Sequence, residues 1–265
     1  MRIATLLVCV LSIGWLASCS DSNTNAPAPA DYYKGFDKLG NYWVYQRNEI
    51  DTNGNVVSST SITDSSWVAG IELYQGRSAS KFITMSDSAG KITYDTTYIA
   101  RSGDSIFTYI GLPSIPILDT AAPTSQWVLL GSVSATTEWT IVPTITRMDT
   151  IPIEALNVNA EINASFGITG SRKADTTIKC ANGQSYSTKA YSLNINMGGS
   201  VRLLFFIPIQ APISKTGGNP QSYFADGIGL VAQYQPPMHF KVGDGSILSR
   251  KQPGEIKTLL RYRIQ

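Results

Sequence analysis

Apolar and polar positions alternate without a break from Leu156 to Ile168. Every second residue in this stretch is apolar, and the residues between them are polar or glycine. A strand sorts such a pattern onto two opposite faces, whereas a helix would spread it around its axis. The stretch therefore predicts one long antiparallel strand with a core on one side and water on the other.

Shorter strand-like segments separated by turn signals fill much of the remaining chain. The first opens at Gly40 to Tyr45, where aromatic and β-branched residues suit a pleated, half-buried surface. Asn53-Gly54 supplies the positive φ angles of a tight turn. Tyr32 to Leu39 is predicted as a turn or one short helix. This rhythm predicts an all-β chain, an antiparallel meander forming a curved sheet, half-barrel or sandwich, with little helix.

A second hairpin is predicted at Asn182-Gly183. If these two residues form the whole turn, Cys180 faces Ser185 and Ile178 faces Ser187 across the hairpin. That register places Cys180 on a core face. We therefore expect a small buried side chain there rather than a reactive thiol.

In the run from Leu203 to Ile207, odd- and even-numbered positions are both apolar, so both faces of a strand would be apolar. A strand of this kind needs cover on both faces, so Val201 to Ile209 is predicted in the middle of a sheet or in the wall of an apolar cavity. If there is a cavity, its predicted apolar ligand contacts are Leu203, Phe205 and Ile207.

Glycines and prolines predict the remaining boundaries of the C-terminal half. Gly198-Gly199 is predicted to turn the chain into the apolar run, and Tyr223 to Tyr234 is predicted as one strand. Pro236 to Gly245 is predicted as a connection, which places His239 in a loop.

The N-terminal residues are predicted to be a targeting signal rather than a folded element. Arg2 and the apolar segment Ile3 to Leu16 form a signal peptide over residues 1–18, too short to serve comfortably as a membrane span. Leu16-Ala17-Ser18-Cys19 resembles the lipobox of bacterial lipoproteins. The resemblance implies that Cys19 is lipidated and becomes the first residue of the mature chain. The alternative is an ordinary secretory signal that is cut nearby.

The anchor and its tether predict the location of the protein. Ser20 to Ala30 has no large apolar side chain and contains two prolines, so residues 19–31 read as a lipidated cysteine and a flexible tether. In the best-known sorting rule of lipoproteins, Asp after the cysteine favours the inner membrane. Ser20 at this position therefore favours the outer membrane, with the periplasmic or exterior face left open.

Length and composition narrow the classes of protein further. The chain has 265 residues, and residues 32–265 form either one β-rich domain or two subdomains with a boundary near the proline-containing stretch 111–125. Charged residues are 15% of the chain and the net charge is +2, so no nucleic-acid partner is expected. Once the signal is removed and Cys19 is lipidated, Cys180 has no disulfide partner.

Three short motifs resemble functional sites but lack the context that those sites need. Gly227 to Ala232 matches the dinucleotide fingerprint, yet Pro236-Pro237 forbids the helix that would receive a pyrophosphate. Asp51 to Asn55 copies the start of a calcium loop without its bidentate glutamate. Ser78 to Lys81, Ser192 to Asn194 and Lys215 to Gly217 follow the motif order of penicillin-recognising enzymes, but Ser78 precedes a strand instead of opening a helix.

The remaining candidates for chemistry are sparse. His239 is the only histidine, so a His-based zinc site or a catalytic triad would depend on it alone. Neither a metal, a cofactor nor a catalytic residue is assigned. A carboxylate hydrolase would require two acids to converge from this set: Asp31, Asp37, Glu49, Glu72, Glu138 and Glu161. Aromatic residues are predicted mainly as core, although Trp and Tyr also line sugar and lipid sites.

Two segments at the ends of the domain match a known pattern. Gly40 to Tyr45 forms a Gly-Asn-Tyr-Trp-Val-Tyr strand, and Tyr223 to Val231 ends in a Gly-Ile-Gly-Leu-Val turn and strand. With the lipobox, these segments resemble a loose group of uncharacterised bacterial envelope lipoproteins. The resemblance implies an antiparallel β fold, such as the half-barrel of periplasmic lipoprotein carriers, and no known activity.

Three functional hypotheses follow. The first is a non-enzymatic binding or structural module of the outer envelope, anchored to the membrane by its N-terminal lipid, with an envelope protein, a glycan or a lipid as ligand. The second is a carrier of a lipid or another hydrophobic ligand in a sheet concavity. The third is a carboxylate-based hydrolase. An open apolar cavity would favour the carrier, and a sheet filled by its own side chains would favour the module.

Overall fold

A computed structural model describes residues 29–88, 90–111, 125–153, 158–204, 209–243, 245 and 248–265. In these ranges it contains one 3-10 helix, Lys34–Asp37, and a sheet of sixteen strands whose pairings are all antiparallel. The predicted all-β, antiparallel fold class is therefore confirmed, and the sheet curls into a half-barrel. The strands are β1 (Tyr42–Ile50), β2 (Val56–Tyr74), β3 (Arg77–Ser88), β4 (Lys91–Ser102), β5 (Ser105–Gly111), β6 (Ser125–Ser132), β7 (Trp139–Ile153), β8 (Val158–Arg172), β9 (Thr176–Lys179), β10 (Ser185–Leu203), β11 (Ile209–Gly217), β12 (Gln221–Ala225), β13 (Gly229–Gln235), β14 (Met238–Val242), β15 (Leu248–Gln252) and β16 (Gly254–Arg263).

The order of strands in the sheet begins as a simple meander. β1 to β6 lie side by side in chain order, and β16 pairs with the other side of β1. β13, β12 and β10 follow β16. β10 pairs with β12 and β11 along one side and with β9 and β8 along the other. Asp31–Gln265 form one compact unit.

Side-chain contacts connect β6, the last strand of the meander, and the residue after it to the β7–β8 pair. The ring nitrogen of Trp139 donates a hydrogen bond to the carbonyl of Leu129 at 2.9 Å, linking β7 to β6. The Arg172 guanidinium donates to the carbonyl of Val133 at 2.7 Å. The Trp139 ring lies against Gly170, where a Cβ would come within 2.2 Å of the ring. The end of the meander is thereby fixed against the β7–β8 pair.

An aromatic core fills the concave side of the curled sheet. We define it by five rings, contributed by the chain around the 3-10 helix and by β1, β10 and β12: Tyr33, Phe36, Trp43, Tyr191 and Phe224. Its members are buried, and four of their ring pairs lie 5.4–6.1 Å apart between centroids, a range typical of favourable aromatic contacts. Residues from β2, β3, β5, β13 and β16 complete the same cluster.

Buried polar atoms of the aromatic core are paired. The ring nitrogen of Trp43 donates to the carbonyl of Ile228 at 2.8 Å, and the Tyr33 hydroxyl donates to the Tyr191 hydroxyl at 2.9 Å. Gly35 lets the 3-10 helix approach Trp43, because a Cβ at this position would lie 2.5 Å from the indole. Of the two alternatives predicted for Tyr32 to Leu39, a turn or one short helix, the structure has the short helix, and its Phe36 packs in the aromatic core.

The long alternating strand is confirmed as β8. Ala160, Ile162 and Ala164 are buried, while the intervening Asn159, Glu161 and Asn163 are exposed. β8 begins at Val158, and Leu156 lies outside the described residues. The buried side chains of β8 form a second apolar cluster with residues of β10, β11 and β14.

The turn predicted at Gly198-Gly199 is wrong. β10 continues through both residues and remains paired with β8 from Tyr191 opposite Arg172 to Leu203 opposite Ala160. A Cβ at Gly199 would lie 2.0 Å from the carbonyl oxygen of Asn163. The glycines therefore permit two backbones to approach closely within a continuous ladder.

The single strand predicted from Val201 to Ile209 is also wrong. β10 ends at Leu203, which pairs antiparallel with Ile209 of β11. The two ends of the predicted strand belong to different strands, and residues 205–208 lie outside the described residues. Pro212 lies inside β11 and pairs with Ser200.

The predicted Asn182-Gly183 hairpin exists, but its register is wrong by one residue. Lys179, not Cys180, faces Ser185, and Ile178 faces Tyr186. The turn has three residues, because the Gly183 amide donates to the Cys180 carbonyl at 2.9 Å and Gly183 has a φ of 80°. Cys180 is nevertheless buried and free, as expected, and burial raises the pKa of its thiol.

Two further boundaries differ from the prediction. The segment Tyr223 to Tyr234 is a hairpin of β12 and β13, with Ala225 opposite Gly229, rather than one strand. The connection predicted from Pro236 to Gly245 contains β14, which carries His239, and β15 follows it. Pairing with β11 overrides the loop signal of the flanking prolines and glycines.

Candidate functional site

The concavity offers little support for the predicted ligand cavity. It is occupied by the aromatic core and by Val68, Phe82, Val231 and Leu259. Leu203 belongs to the second apolar cluster, buried among Ile162, Ala211 and Val242, and Phe205 and Ile207 lie outside the described residues. Cys19, the predicted lipidation residue, also precedes the part of the chain that the structure describes.

An array of aromatic side chains instead lies on the outer side of the meander. We define this outer aromatic face by Tyr74 of β2, Tyr98 of β4, Tyr109 of β5 and Trp127 of β6. Tyr98 is paired with Tyr109 and Tyr109 with Trp127, so cross-strand register aligns the three side chains. Their neighbours of opposite parity, such as Ile106, enter the core.

The rings of the outer aromatic face are in contact with one another. Tyr74 stacks on Tyr98 with 3.5 Å between centroids and 4° between planes. Tyr109 meets Tyr74 edge-on at 5.1 Å and Trp127 at 5.4 Å. All four side chains are half-buried, so one side of the array packs on the sheet while the other faces solvent.

The polar tips of three of these four aromatic residues form hydrogen bonds. The indole of Trp127 donates to the carbonyl of Gln75 at 3.1 Å, and the Tyr109 hydroxyl donates to Ser125 Oγ at 3.1 Å. A hydrogen bond to the Glu72 carboxylate raises the pKa of the Tyr98 hydroxyl. These bonds restrain the rings, so the outer aromatic face is preorganised for contact.

The backbone turn beneath Trp127 is also specialised. Gln75 has a φ of 44° and Gly76 a φ of 78°, the pair of positive angles that a tight turn between β2 and β3 requires. A non-glycine residue in this region is uncommon and strained. The turn directs the Gln75 carbonyl towards the Trp127 indole.

Arg77 adds a cation to the same side of the sheet. Its guanidinium carbon lies 4.1 Å from the centre of the Phe107 ring and 5.8 Å from that of Trp127. Both distances suit cation–π attraction. Tyr, Trp and Arg are the residue types that most often dominate the energy of protein interfaces.

A separate buried ionic cluster joins β1, β2 and β16. Asp64 is almost fully buried and lies 3.0 Å from Arg47 Nε and 3.4 Å from Lys257 Nζ. Burial opposes the charge of Asp64, but Lys257, Ser86 and Arg47 together lower its pKa. Burial lowers the pKa of Lys257, whose amine lies 4.6 Å from the centre of the Tyr45 ring. The cluster stabilises the junction of the first and last strands.

The penicillin-enzyme motifs do not assemble into one site. Asn219 bridges the last two, accepting from Lys215 Nζ at 3.2 Å and donating to Asn194 Oδ1 at 3.1 Å. Ser78 and Lys81 lie on β3, several strands away in the sheet. The required serine nucleophile at the start of a helix is therefore not formed.

Two of the six candidate acids meet. Asp31 and Asp37 lie 2.9 Å and 3.7 Å from the same nitrogen of Arg101. The shared guanidinium ties the start of the domain to β4. Glu138 instead accepts from Asn194, Glu161 pairs with Arg202, Glu72 bonds Tyr98, and Glu49 lies on β1.

Metal ligands are sparse in the part of the chain that the structure describes. Within it, His, Cys, Asp and Glu side chains form no group of three or more that could hold a metal ion. His239 Nε2 lies 2.8 Å from Ser249 Oγ in the β14–β15 pair. No helix among the described residues has the length and apolar character needed to cross a membrane.

Comparison with known proteins finds distant structural similarity only. No family model matches the chain, and no curated protein matches it. A proposed lipoprotein from Parabacteroides distasonis is 10% identical and has a TM-score of 0.42, with 88% of this chain and 99% of that chain covered. A proposed exported protein with a YmcC-like fold from Bacteroides fragilis is 10% identical with a TM-score of 0.34, covering 85% and 96% of the two chains. At these scores, neither structure carries an inference about this chain.

Sequence reasoning missed the outer aromatic face. Its members lie in four separate strands, and their proximity depends on a register that no single segment specifies. Parity within β5 was a usable signal, because Phe107 and Tyr109 alternate with the buried Ile106. That signal assigns the side of the strand but not the neighbouring rings.

Proposed function

We propose that the protein is a lipid-anchored lipoprotein of the outer envelope that acts as a non-enzymatic binding or structural module. The observation that carries the proposal is the contrast between a concavity occupied by the protein's own aromatic rings and an outer aromatic face open to solvent. The lipobox at Leu16 to Cys19 supports the anchor. The proposed location is the outer membrane.

The outer aromatic face favours a protein of the envelope as the bound partner. Its rings are preorganised, and Arg77 stacks beside them, which matches the composition of energetic centres in protein interfaces. A glycan site combines ring stacking with free hydrogen-bonding groups, whereas the tips of Trp127, Tyr109 and Tyr98 are already engaged.

The carrier hypothesis receives less support from the geometry. Leu203, its predicted contact in the described part of the chain, is packed among side chains of the second apolar cluster. Native mass spectrometry of the mature chain tests this point. We expect the mass of the chain without a co-purified lipid, and a stoichiometric bound lipid would favour the carrier.

Two experiments test the proposal itself. Intact-mass analysis of the mature chain should show removal of residues 1–18 and acyl groups on Cys19, and an unmodified N-terminus would refute the anchor. In-cell photocrosslinking should give a discrete protein adduct that is lost when Tyr98 and Trp127 are both replaced by alanine. Tyr94→Ala is the matched control, because Tyr94 is exposed on the same strand and parity as Tyr98. An adduct that persists in the double variant would refute the binding surface.

A further inference from the structure

Exposed aliphatic side chains gather at one end of the curled sheet. Leu39, Ile71 and Leu73 have exposed fractions of 60%, 51% and 80%, and we call them the apolar rim. Leu39 directly precedes β1, and the next residue, Gly40, donates a hydrogen bond to the Val68 carbonyl of β2 at 3.1 Å. Ile71 and Leu73 follow on β2 and share one parity, so they project to the same side of that strand.

The tether enters the domain at this same end. The amide of Asp31 donates to Asp226 Oδ1 at 2.5 Å, and its carbonyl accepts from the Gly227 amide at 2.9 Å. Its carboxylate pairs with Arg101, which lines a cleft of about 430 Å³ together with Ile71 and Asp37. One guanidinium therefore links the entry point of the tether to the cleft wall that contains Ile71 of the apolar rim.

The reach of the tether restricts which surface can meet the bilayer. The sequence predicts a flexible tether of twelve residues from Cys19 to Ala30, and a flexible chain of this length has a root-mean-square span of roughly 20 Å. The opposite end of the same strands, at Ile92, is displaced from Leu73 by the length of β3 between Ser78 and Asp87. At about 3.3 Å per residue this displacement is about 30 Å, which exceeds the typical reach of the tether.

Two exposed lysines lie near the apolar rim. Lys34 and Lys38 are exposed on the 3-10 helix and directly after it, the latter next to Leu39. The nearby Asp31 and Asp37 are both paired with Arg101. Basic side chains beside exposed aliphatic groups bind bilayers that contain anionic lipids, and tethering raises their effective concentration at the surface.

We propose that the apolar rim and its flanking lysines dock on the bilayer to which Cys19 is anchored, so that the domain is held in one orientation. This inference rests on the proposed lipid anchor. Docking of this end leaves Ile92 and the β3–β4 turn directed away from the membrane. The anchor then sets the orientation of the domain as well as its location.

The test places an environment-sensitive fluorophore at either end of the same strands. Leu73→Cys and the matched control Ile92→Cys, both at exposed aliphatic positions, are labelled in the folded mature chain, where Cys180 is buried. The lipidated chain is reconstituted in phosphatidylethanolamine–phosphatidylglycerol vesicles, with or without brominated lipid. We expect at least threefold stronger bromine quenching at position 73 than at position 92. Equal quenching at the two positions, or stronger quenching at position 92, would overturn the docking.

A second arm separates failure of the docking from failure of the anchor. The same labelled chains carry a histidine tag in place of the lipid at position 19 and are held on nickel-chelating vesicles. Flotation of each chain with vesicles measures its attachment to the membrane. If the natural chain does not float with vesicles but the tagged chain shows quenching at position 73, the docking is supported and the lipid anchor is refuted. If both chains float and neither shows preferential quenching at position 73, the anchor stands and the docking falls.

Discussion

The aromatic core and the outer aromatic face occupy opposite sides of one curled sheet, and they differ in how many strands enclose them. Core rings are surrounded by residues from eight strands, whereas the outer rings rest on one side of β2, β4, β5 and β6. Both sets have bonded polar tips. Aromatic content alone therefore does not distinguish a core from a binding surface. The side of the strand from which a ring projects decides which of the two it belongs to.

Replacement of the two tryptophans gives the largest predicted difference. Trp43→Ala removes a fully buried ring and an indole hydrogen bond, so we expect a loss of about 3–5 kcal/mol in the free energy of unfolding. Trp127→Ala removes a half-buried ring and should cost roughly 1 kcal/mol. Urea denaturation measures both values. Equal losses of stability in the two variants would contradict the contrast between the buried core ring and the half-buried outer ring.

Overpacking beneath the core should have the next largest effect. Gly35→Ala introduces a Cβ that would lie 2.5 Å from the Trp43 ring, and we expect about 1–3 kcal/mol of destabilisation. Gly70→Ala is the matched control on β2, because its nearest neighbour would be the Lys81 Cβ at 4.0 Å. Thermal or urea denaturation should leave the control within roughly 0.5 kcal/mol of the wild type. Similar losses in the two variants would show that the 3-10 helix does not pack on Trp43.

Stability at alkaline pH probes the buried hydroxyl of Tyr33 in the aromatic core. Burial, reinforced by the hydrogen bond to Tyr191, raises the pKa of Tyr33. The folded chain therefore keeps a proton that the unfolded chain loses above pH ~10, so this contribution to stability is present below that pH and declines above it. The decline approaches about 1.4 kcal/mol per pH unit for one such group.

Tyr33→Phe should flatten this alkaline decline in urea denaturation measured between pH 9 and 11. The slope will not vanish, because burial also raises the pKa of Tyr45. At neutral pH the variant should lose about 1 kcal/mol with the hydrogen bond to Tyr191. An unchanged alkaline slope would place the Tyr33 hydroxyl in water.

The smallest predicted effect concerns a single hydroxyl on the outer aromatic face. The Glu72 carboxylate raises the pKa of Tyr98, so Glu72→Gln should lower that pKa towards the ordinary value for tyrosine. Carbon-13 NMR of labelled tyrosine rings would follow the titration in the folded protein. We expect little change in global stability, and an unchanged Tyr98 titration would contradict the hydrogen bond.

Local patterns predicted the fold class and the faces of its clearest strand. Parity in β8 correctly assigned Ala160, Ile162 and Ala164 to a core, because a strand has only two sides. Turn glycines located the hairpins after Ile50 and Lys179. These features depend on residues that are close in sequence.

Other features depend on distant partners and could not be predicted in the same way. Gly198-Gly199 has the composition of a turn, but pairing with β8 keeps it extended. The outer aromatic face required the registers of four strand pairs at once. Filling of the concavity by Tyr33 and Phe36 depends on how the segment before β1 returns into the curled sheet. Long-range pairing, rather than propensity, decided each case.

Hydroxyl-radical footprinting of the mature chain, read residue by residue by mass spectrometry, tests the central contrast most directly. We expect strong protection of Tyr33, Phe36 and Trp43 from oxidation by the radicals. Tyr98, Tyr109 and Trp127 should be clearly modified. Comparable modification of the two sets would show an open concavity, and it would contradict the assignment of binding to the outer aromatic face.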